Sequence, residues 1–315
     1  MSEKKLKEIV VISGKGGTGK TSLSLALLDA LSQNKKIVAA DCDVDAADMH
    51  LVLSPEIEKS EVFISGNFAH IQQEKCSRAK GSSCSVCYDL CRFDSIKKIE
   101  SSEIPEAKST SNPIRFSIGE NDCEGCMVCV EFCPEKAIVF PERKCGKLFV
   151  SKTRFAPLVH AALDIGSENS GKLVTEVRKK AKSLAEETKS DYLIVDGSPG
   201  IGCPVIASIT GADQVLIVTE PTLSGMSDLK RVAGLVKHFK IPHAVIVNKA
   251  TVNLDISREI ENWCSKNKIY YLGEIHYNKN VTLAQLQEKT IIEYEKEEVE
   301  KPFTSFIQKI IKDIL

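Results

Sequence analysis

The chain has almost no net charge. Its 42 Lys and Arg stand against 43 Asp and Glu, a formal −1, and that balance excludes a bulk electrostatic pull toward nucleic acid. It also lacks any stretch approaching the roughly 18 uncharged apolar residues that a membrane span needs. The opening MSEKKLKEIVVISG is basic, but its apolar run, Ile9 to Ile12, is too short for a secretory signal. A cytoplasmic protein is expected, and cytoplasmic thiols stay reduced, so the twelve cysteines are not expected to form disulfides. What is plentiful is apolar material: 43% hydrophobic against 27% charged over 315 residues, enough for a large core and more than one domain.

From Glu8 the pattern runs apolar strand, glycine loop, helix, apolar strand: IVVIS at 9–13, GKGGTGK at 14–20, a helix over Thr21–Ser32 and IVAAD at 37–41. Short apolar runs bounded by Gly or Asp predict buried parallel strands, and their alternation with helices predicts an α/β fold. The rhythm returns late in YLIVD (192–196), VLIVTE (215–220), AVIVN (244–248) and IYYLGEI (269–275). Helical stretches near 203–210, 224–239 and 253–266 separate these runs, and a helix over 172–187 precedes them. Right-handed crossovers then make the sheet mostly parallel with helices on both faces. Between about Ser65 and Pro141 the rhythm stops and Cys, Ser, Lys and Glu dominate, as expected of a small inserted α+β domain. The expected division is 1–64 and 142–315 for the core and 65–141 for the insert.

Within the insert, SSEIPEAKSTSNP (101–113) has linker composition. It separates two halves of a degenerate repeat, Cys76–Ile99 and Cys123–Val139, each a cysteine run followed by a short apolar strand. Beyond the insert, Thr153–Lys172 is expected to be a polar loop around His160, either a docking or substrate surface or a structural feature. The tail places Phe306, Ile307, Ile310, Ile311, Ile314 and Leu315 on one helical face. With only Lys309 and Lys312 basic, packing on the sheet is expected there over membrane binding.

Gly14-x4-Gly19-Lys20-Thr21 fits GxxxxGK[ST] and lies where the chemistry requires, after a strand and at the start of a helix. Glycines let backbone N–H groups turn inward around phosphate oxygens, and the helix N-terminus adds partial positive charge. Lys20 is placed to reach the β and γ phosphates and Thr21 to supply an oxygen to Mg²⁺. Gly14, Lys15, Gly16, Gly17, Thr18, Gly19, Lys20, Thr21 and Ser22 are the expected nucleotide-binding segment, with ATP the expected ligand.

The full run Gly14-Lys15-Gly16-Gly17-Thr18-Gly19-Lys20-Thr21 resembles the deviant Walker A motif of the MinD/ParA/Mrp/nitrogenase iron protein family of P-loop NTPases, which carries an additional early lysine. The resemblance implies an Mg²⁺-dependent ATPase acting as a homodimer across the nucleotide. Lys15 would cross to the phosphates held by the other subunit, a second cation for charge developing in the transition state. Asp41-Cys42-Asp43-Val44-Asp45 resembles switch I, which implies that Asp43 orients or deprotonates the attacking water. Asp41 and Asp45 would take Mg²⁺-linked or switch roles, Asp45 being otherwise a helix cap. Asp196-Gly197-Ser198-Pro199-Gly200 resembles a Walker B segment running into switch II, with Asp196 holding Mg²⁺ through a water. Asn248-Lys249 stands where the family reads adenine, unless Asn248 is simply a turn residue.

Cys123-x2-Cys126-x2-Cys129-x3-Cys133-Pro134 matches the cysteine run of bacterial ferredoxins, in which three thiolates hold one [4Fe–4S] cluster and the fourth ligates another. Tetrahedral Zn²⁺, which CxxC pairs also suit, is the alternative. The first half, Cys76-x7-Cys84-x2-Cys87-x3-Cys91-Arg92, has a longer first spacing, filled by SRAKGSS, and Arg in place of proline. Two [4Fe–4S] clusters are expected: one on Cys76, Cys84, Cys87 and Cys133, the other on Cys123, Cys126, Cys129 and Cys91. A single cluster or a three-iron site is the alternative for the first half. Cys203, seven residues after Asp196, resembles the switch II cysteine that helps to bridge a cluster in the nitrogenase iron protein; it is otherwise a turn residue. Cys145 has no such context, and Cys42 and Cys264 read as small buried hydrophobes.

The sequence as a whole resembles MinD-superfamily ATPases with an inserted two-cluster ferredoxin domain. That implies coupling of ATP binding and hydrolysis to electron transfer, or to cluster delivery, toward an acceptor or donor metalloprotein, with no nucleic-acid partner. A non-redox assembly scaffold regulated by ATP is the alternative.

Overall fold

Ile9, Val10, Val11 and Ile12 have no exposed surface at all, as expected of a strand covered on both faces, and they form the middle of β1 (Lys7–Ser13). This strand belongs to a computed structural model in which residues 5–100, 114–164, 167, 171–296 and 301–314 are described. The expected linker at 101–113 lies outside them. In chain order there follow α1 (Lys20–Ser32), β2 (Ile37–Asp41), α2 (Met49–Leu53), β3 (Glu56–Asn67), β4 (His70–Ile71), α3 (Val86–Leu90), β5 (Ile96–Glu100) and β6 (Ile114–Ile118). Next come α4 (Val128–Glu131), β7 (Ile138–Val139), β8 (Glu142–Lys152), β9 (Leu158–Leu163), α5 (Lys172–Glu187), β10 (Tyr192–Pro199), α6 (Cys203–Ile209), β11 (Gln214–Thr219) and α7 (Leu223–His238). The chain continues through β12 (His243–Asn248), α8 (Leu254–Lys266), β13 (Tyr270–Ile275), α9 (Asn280–Leu286), α10 (Ile291–Glu295) and α11 (Pro302–Ile314).

The chain divides into two compact units. Met1–Glu61, Lys147–Leu163 and Glu168–Leu315 make the first, and Val62–Gly146 with Asp164–Ser167 the second. The expected domain edges at 64/65 and 141/142 fall inside β3 and at the start of β8, strands that continue from one unit into the other.

The large sheet has the order β13-β12-β11-β1-β10-β2-β9-β8-β3, and the strands from β13 to β9 are joined by parallel pairings. On one face Ile9, Val11, Ile37, Ala39 and Ile194 join Leu23, Leu27 and Leu28 of α1 in a single apolar cluster. The alternate residues Val10, Val38 and Val195 point the other way. Helices α5, α6, α7 and α8 pack on β2, β10, β11 and β13. The apolar face of the tail is used here: Phe303, Ile307 and Ile310 of α11 are buried in the α1 cluster, each side chain contributing roughly 1.5–3 kcal/mol. Parallel register brings Asp196 beside both Val11 and Asp41. The carboxylates thereby converge at the carboxyl edge of the sheet, next to the loop that follows β1.

The stretch Thr153–Lys172, expected as a loop, instead supplies β9, which pairs with β2. Leu158, Val159 and Ala161 are buried; the run LVHAAL is as long as the strands that were read, but His160 interrupts its apolar pattern. His160 is 7% exposed, stacked on Phe149 and His50, with Nε2 2.9 Å from Ser151 Oγ; it is a core histidine and not a docking residue. Burial, reinforced by His50, pushes its pKa down to about 4. Because the unfolded value is about 6.5, the unfolded chain takes up this proton first. His160 therefore costs nothing above that pH and lowers stability as pH falls toward 4. Urea unfolding should show about 3 kcal/mol of acid destabilisation from this residue between about pH 7 and pH 4, and His160→Gln should remove that part of the slope.

In the second unit, β4 pairs antiparallel with β7, and β5 with β6. The one-turn helices α3 and α4 carry Cys87 and Cys129. Ala69, Ile71, Ile96, Phe116 and Ile138 form its small core, and Cys76, Cys87, Cys91, Cys129 and Cys133 pack against it.

Candidate functional site

The loop after β1 wraps over the N-terminus of α1. Gly19, the residue before that helix, has φ +92°, and a Cβ there would meet Asn248 Nδ2 at 2.2 Å, so only glycine fits. Asn248 Nδ2 donates to Thr18 O at 2.7 Å, and its Oδ1 accepts from Lys249 N–H at 2.9 Å. The amide expected at a base edge braces the phosphate loop in the structure. Thr18 lines a cavity of about 480 Å³, and its buried Oγ1 has no partner among the described residues. The first-turn N–H groups of α1 likewise have no intrahelical acceptors. Orphaned donors around such a cavity suit a phosphate chain.

Lys20 is 5% exposed. Its Nζ lies 2.9 Å from Asp196 Oδ2 and 3.3 Å from Asp43 Oδ2. Burial works against its charge, but Asp196, Asp43 and Asp41 outweigh burial and hold its pKa above the usual lysine value. Asp196, fully buried, accepts from Thr21 Oγ1 and Ser24 Oγ, both at 2.7 Å. Thr21 and Asp196 are therefore adjacent, as a shared metal ion would need. Burial and then Asp196 raise the Asp43 carboxyl above its ordinary range, against Lys20. Burial and Asp196 push Asp41 up to about 8, and it accepts the N–H groups of Met49 and Asp43 at 3.1 and 3.2 Å. Asp41 thus pins the segment from 43 to 49 and does not line the cavity, whereas Asp43 and Asp45 do.

Gly16, Gly17, Thr18, Gly19, Lys20, Thr21 and Ser22 all line the cavity, but Lys15 does not. Its Nζ is 3.2 Å from Glu220 Oε2 and 3.4 Å from Ser224 Oγ. Glu220 also receives Lys249 Nζ at 2.6 Å. Burial opposes the Glu220 charge, but Lys249 and Lys15 hold its carboxyl below the usual range. Gly14 lies against α7, where a Cβ would meet Asp228 at 2.4 Å. Sequence reasoning missed Glu220, Ser24 and the far wall formed by His276, Tyr277, Asn278 and Gln285. Ser24 lies one helical turn after Lys20, a spacing that was there to be read; the far wall has no motif.

In the second unit the eight cysteines from Cys76 to Cys133 separate into two quartets, each lining one cavity. Cys76, Cys84, Cys87 and Cys133 line the first; Cys91, Cys123, Cys126 and Cys129 line the second. Each half of the repeat therefore contributes one cysteine to the other half's group. Burial and the neighbouring thiols push Cys87 up to about 12 and Cys129 up to about 11. Cys91 is the contrast. Burial raises it, but N–H groups of Phe93, Ser95 and Ile96 outweigh that and hold it below the ordinary thiol value. Ala69 N–H and Ala137 N–H point at Cys123 Sγ and Cys133 Sγ, at 3.5 and 3.3 Å.

Among the described residues, no three His, Cys, Asp or Glu side chains converge closely enough to hold a single metal ion. Four thiolates on one Zn²⁺ would stand about 3.8 Å apart, from a Zn–S length of about 2.3 Å. The quartets suit a cluster in number and in kind. Each encloses only about 20 Å³.

Cys203, exposed, is the first residue of α6. Cys145 is buried in β8 and donates to Ser65 O at 3.2 Å, a packing role. Cys42 and Cys264 are wholly buried.

Residues 9–291 match the family model described as the CobQ/CobB/MinD/ParA nucleotide binding domain. An uncharacterized protein of Methanocaldococcus jannaschii is 32% identical over 248 residues, 79% of this chain and 80% of that one. A second from the same organism is 28% identical over 288 residues, 91% of each chain. Among solved structures, the septum site-determining protein MinD of Pyrococcus horikoshii, complexed with Mg-ADP, has a TM-score of 0.56 at 18% identity. That match covers 98% of this chain and 96% of that one, a likeness of fold.

Proposed function

This chain belongs to the CobQ/CobB/MinD/ParA nucleotide binding domain family, and from that premise we propose that it is an Mg²⁺-dependent ATPase carrying two [4Fe–4S] clusters. In this reading, ATP binding and hydrolysis gate electron or cluster delivery to a partner metalloprotein. The observation that carries it is the sorting of eight cysteines into two quartets, in a chain that also holds a buried Lys20 between Asp43 and Asp196. The insert, on this reading, is a ferredoxin-like module.

Lys20 and the N–H groups at the start of α1 bind the phosphates of ATP. Thr21 and Asp196 would hold Mg²⁺, Asp196 through a water; the ion, when bound, neutralises phosphate charge and polarises the transferred phosphoryl group. Asp43, its carboxyl raised by burial and facing Lys20, orients the attacking water and accepts its proton. The Lys15 amine, held on Glu220 and Ser224 away from its own cavity wall, is free of its own phosphate site and so available to a second subunit in a homodimer. Asp41 anchors the segment bearing Asp43, so a shift there moves the base. Cys76, Cys84, Cys87 and Cys133 would ligate one cluster and Cys91, Cys123, Cys126 and Cys129 the other, which supply one-electron chemistry when bound.

Anaerobic purification followed by iron and sulfide counting, with EPR of the reduced protein with and without MgATP, tests the proposal. The expected result is about eight iron atoms per chain and spectra that respond to the nucleotide. Colourless protein carrying zinc, or signals identical with and without ATP, would overturn it. Iron passing to an apo-acceptor in the presence of chelator would transfer the assignment to the assembly scaffold.

A further inference from the structure

The two cysteine cavities differ at the surface. Around the second, Leu90, Phe93, Met127 and Val128 line the same cavity as Cys91, Cys123, Cys126 and Cys129, and these four are 39%, 49%, 41% and 38% exposed. Cys126 itself is exposed. Around the first, the lining is mostly interior, with Ile71, Ala137 and Ile138 buried and only Val86 among its large apolar residues counted as exposed. Phe132, the chain neighbour of Cys133 in the first group, is also exposed but lines neither cavity. Packing does not require four large apolar side chains to stand in water around one cysteine group, and such a patch marks an interaction site. Acidic residues outnumber basic ones on the segments that carry the patch, with Arg143 reaching Cys123 O and Lys98 lying over the Tyr88 ring beside them. On the segments 84–94 and 120–136 the charged residues are Asp89, Asp94, Glu120, Asp122, Glu124, Glu131 and Glu135 against Arg92 and Lys136, and all are exposed.

We infer that Leu90, Phe93, Met127 and Val128 form the docking surface for a one-electron carrier protein whose redox centre opens on an apolar face ringed by Lys and Arg. The cluster proposed for Cys91, Cys123, Cys126 and Cys129 is then the one that exchanges electrons with it. The inference rests on the cluster assignment of the proposed function. Transfer moves a single electron, lost by one centre and gained by the other, with no bond made or broken. Apolar contact brings the centres close, while the acidic excess on those segments steers a basic partner and raises the rate of encounter.

The test uses the full chain, purified anaerobically with its iron, reduced, freed of reductant and mixed with cytochrome c, a basic protein with an exposed haem edge. The oxidation rate should fall as salt rises. It should fall about tenfold in Phe93→Ser/Met127→Ser and in Glu120→Lys/Glu131→Lys, while oxidation by a small neutral quinone is unchanged, which shows the clusters to be intact. Iron-loaded variants that reduce cytochrome c at the wild-type rate would overturn the docking surface alone. Wild-type protein without iron would overturn it together with the cluster assignment. Variants that lose a self-associated state in size-exclusion chromatography would assign the patch to a second copy of the chain and overturn the electron carrier.

Discussion

Lys20→Ala should abolish ATP hydrolysis while iron content stays near eight per chain, about the number for two four-iron clusters. Lys20 is the buried cation of the phosphate cavity, 2.9 Å from Asp196 and 3.3 Å from Asp43. Removing it takes away the charge that binds the phosphates and leaves Asp196, Asp43 and Asp41 crowded with no counterion among them. Loss of a single preorganised donor to a transition state costs about 10²–10³ in rate, and a lysine facing the phosphates should cost at least that. Breaking a buried pair also lowers stability, by about 3–5 kcal/mol, an upper bound here because Thr21 and Ser24 still donate to Asp196. Circular dichroism and nucleotide binding separate the two losses, since a folded variant with no turnover isolates the chemical role. Normal turnover by Lys20→Ala would end the hydrolase assignment.

Cys126→Ser should do the reverse. The chain should keep one cluster, on Cys76, Cys84, Cys87 and Cys133, and lose or severely weaken the other, so that iron falls from about eight to about four per chain. ATP binding should persist, because the phosphate loop and its carboxylates are untouched. Cys126 is the exposed member of its quartet, so the substitution removes a ligand without opening a hole in the small core around Phe116. Loss of all iron would mean that the two groups assemble as one, and full retention would remove Cys126 from the ligand set.

Much of the architecture was legible. The strands at 9–13, 37–41, 192–196, 215–220, 244–248 and 269–275 correspond to β1, β2, β10, β11, β12 and β13; all but the edge strand β13 are covered on both faces, which writes near-continuous apolar runs into them. The other sheet members, β3, β8 and β9, were not legible. Glu56–Asn67 is mostly exposed, so no burial constraint writes an apolar run into it, and β9 carries a histidine that only Phe149, His50 and Ser151 make comfortable. Among site residues, the phosphate loop was readable letter by letter. Glu220 was not, because one glutamate at a strand end is unremarkable until Lys15 and Lys249 are seen to converge on it.

Short-range spacing alone was enough to specify the helix-starting glycine loop and the apolar strands, because each answers to a backbone geometry that spans only a few neighbouring residues. Long-range placement belonged to the fold. Asp196 meets Thr21 and Ser24 from 175 and 172 positions away, Lys15 is held on Glu220, and the apolar lining is more exposed around one cysteine group than around the other. Such pairings depend on which strands lie side by side and which surfaces stay in water, and the free energy that selects them is a property of the packed whole.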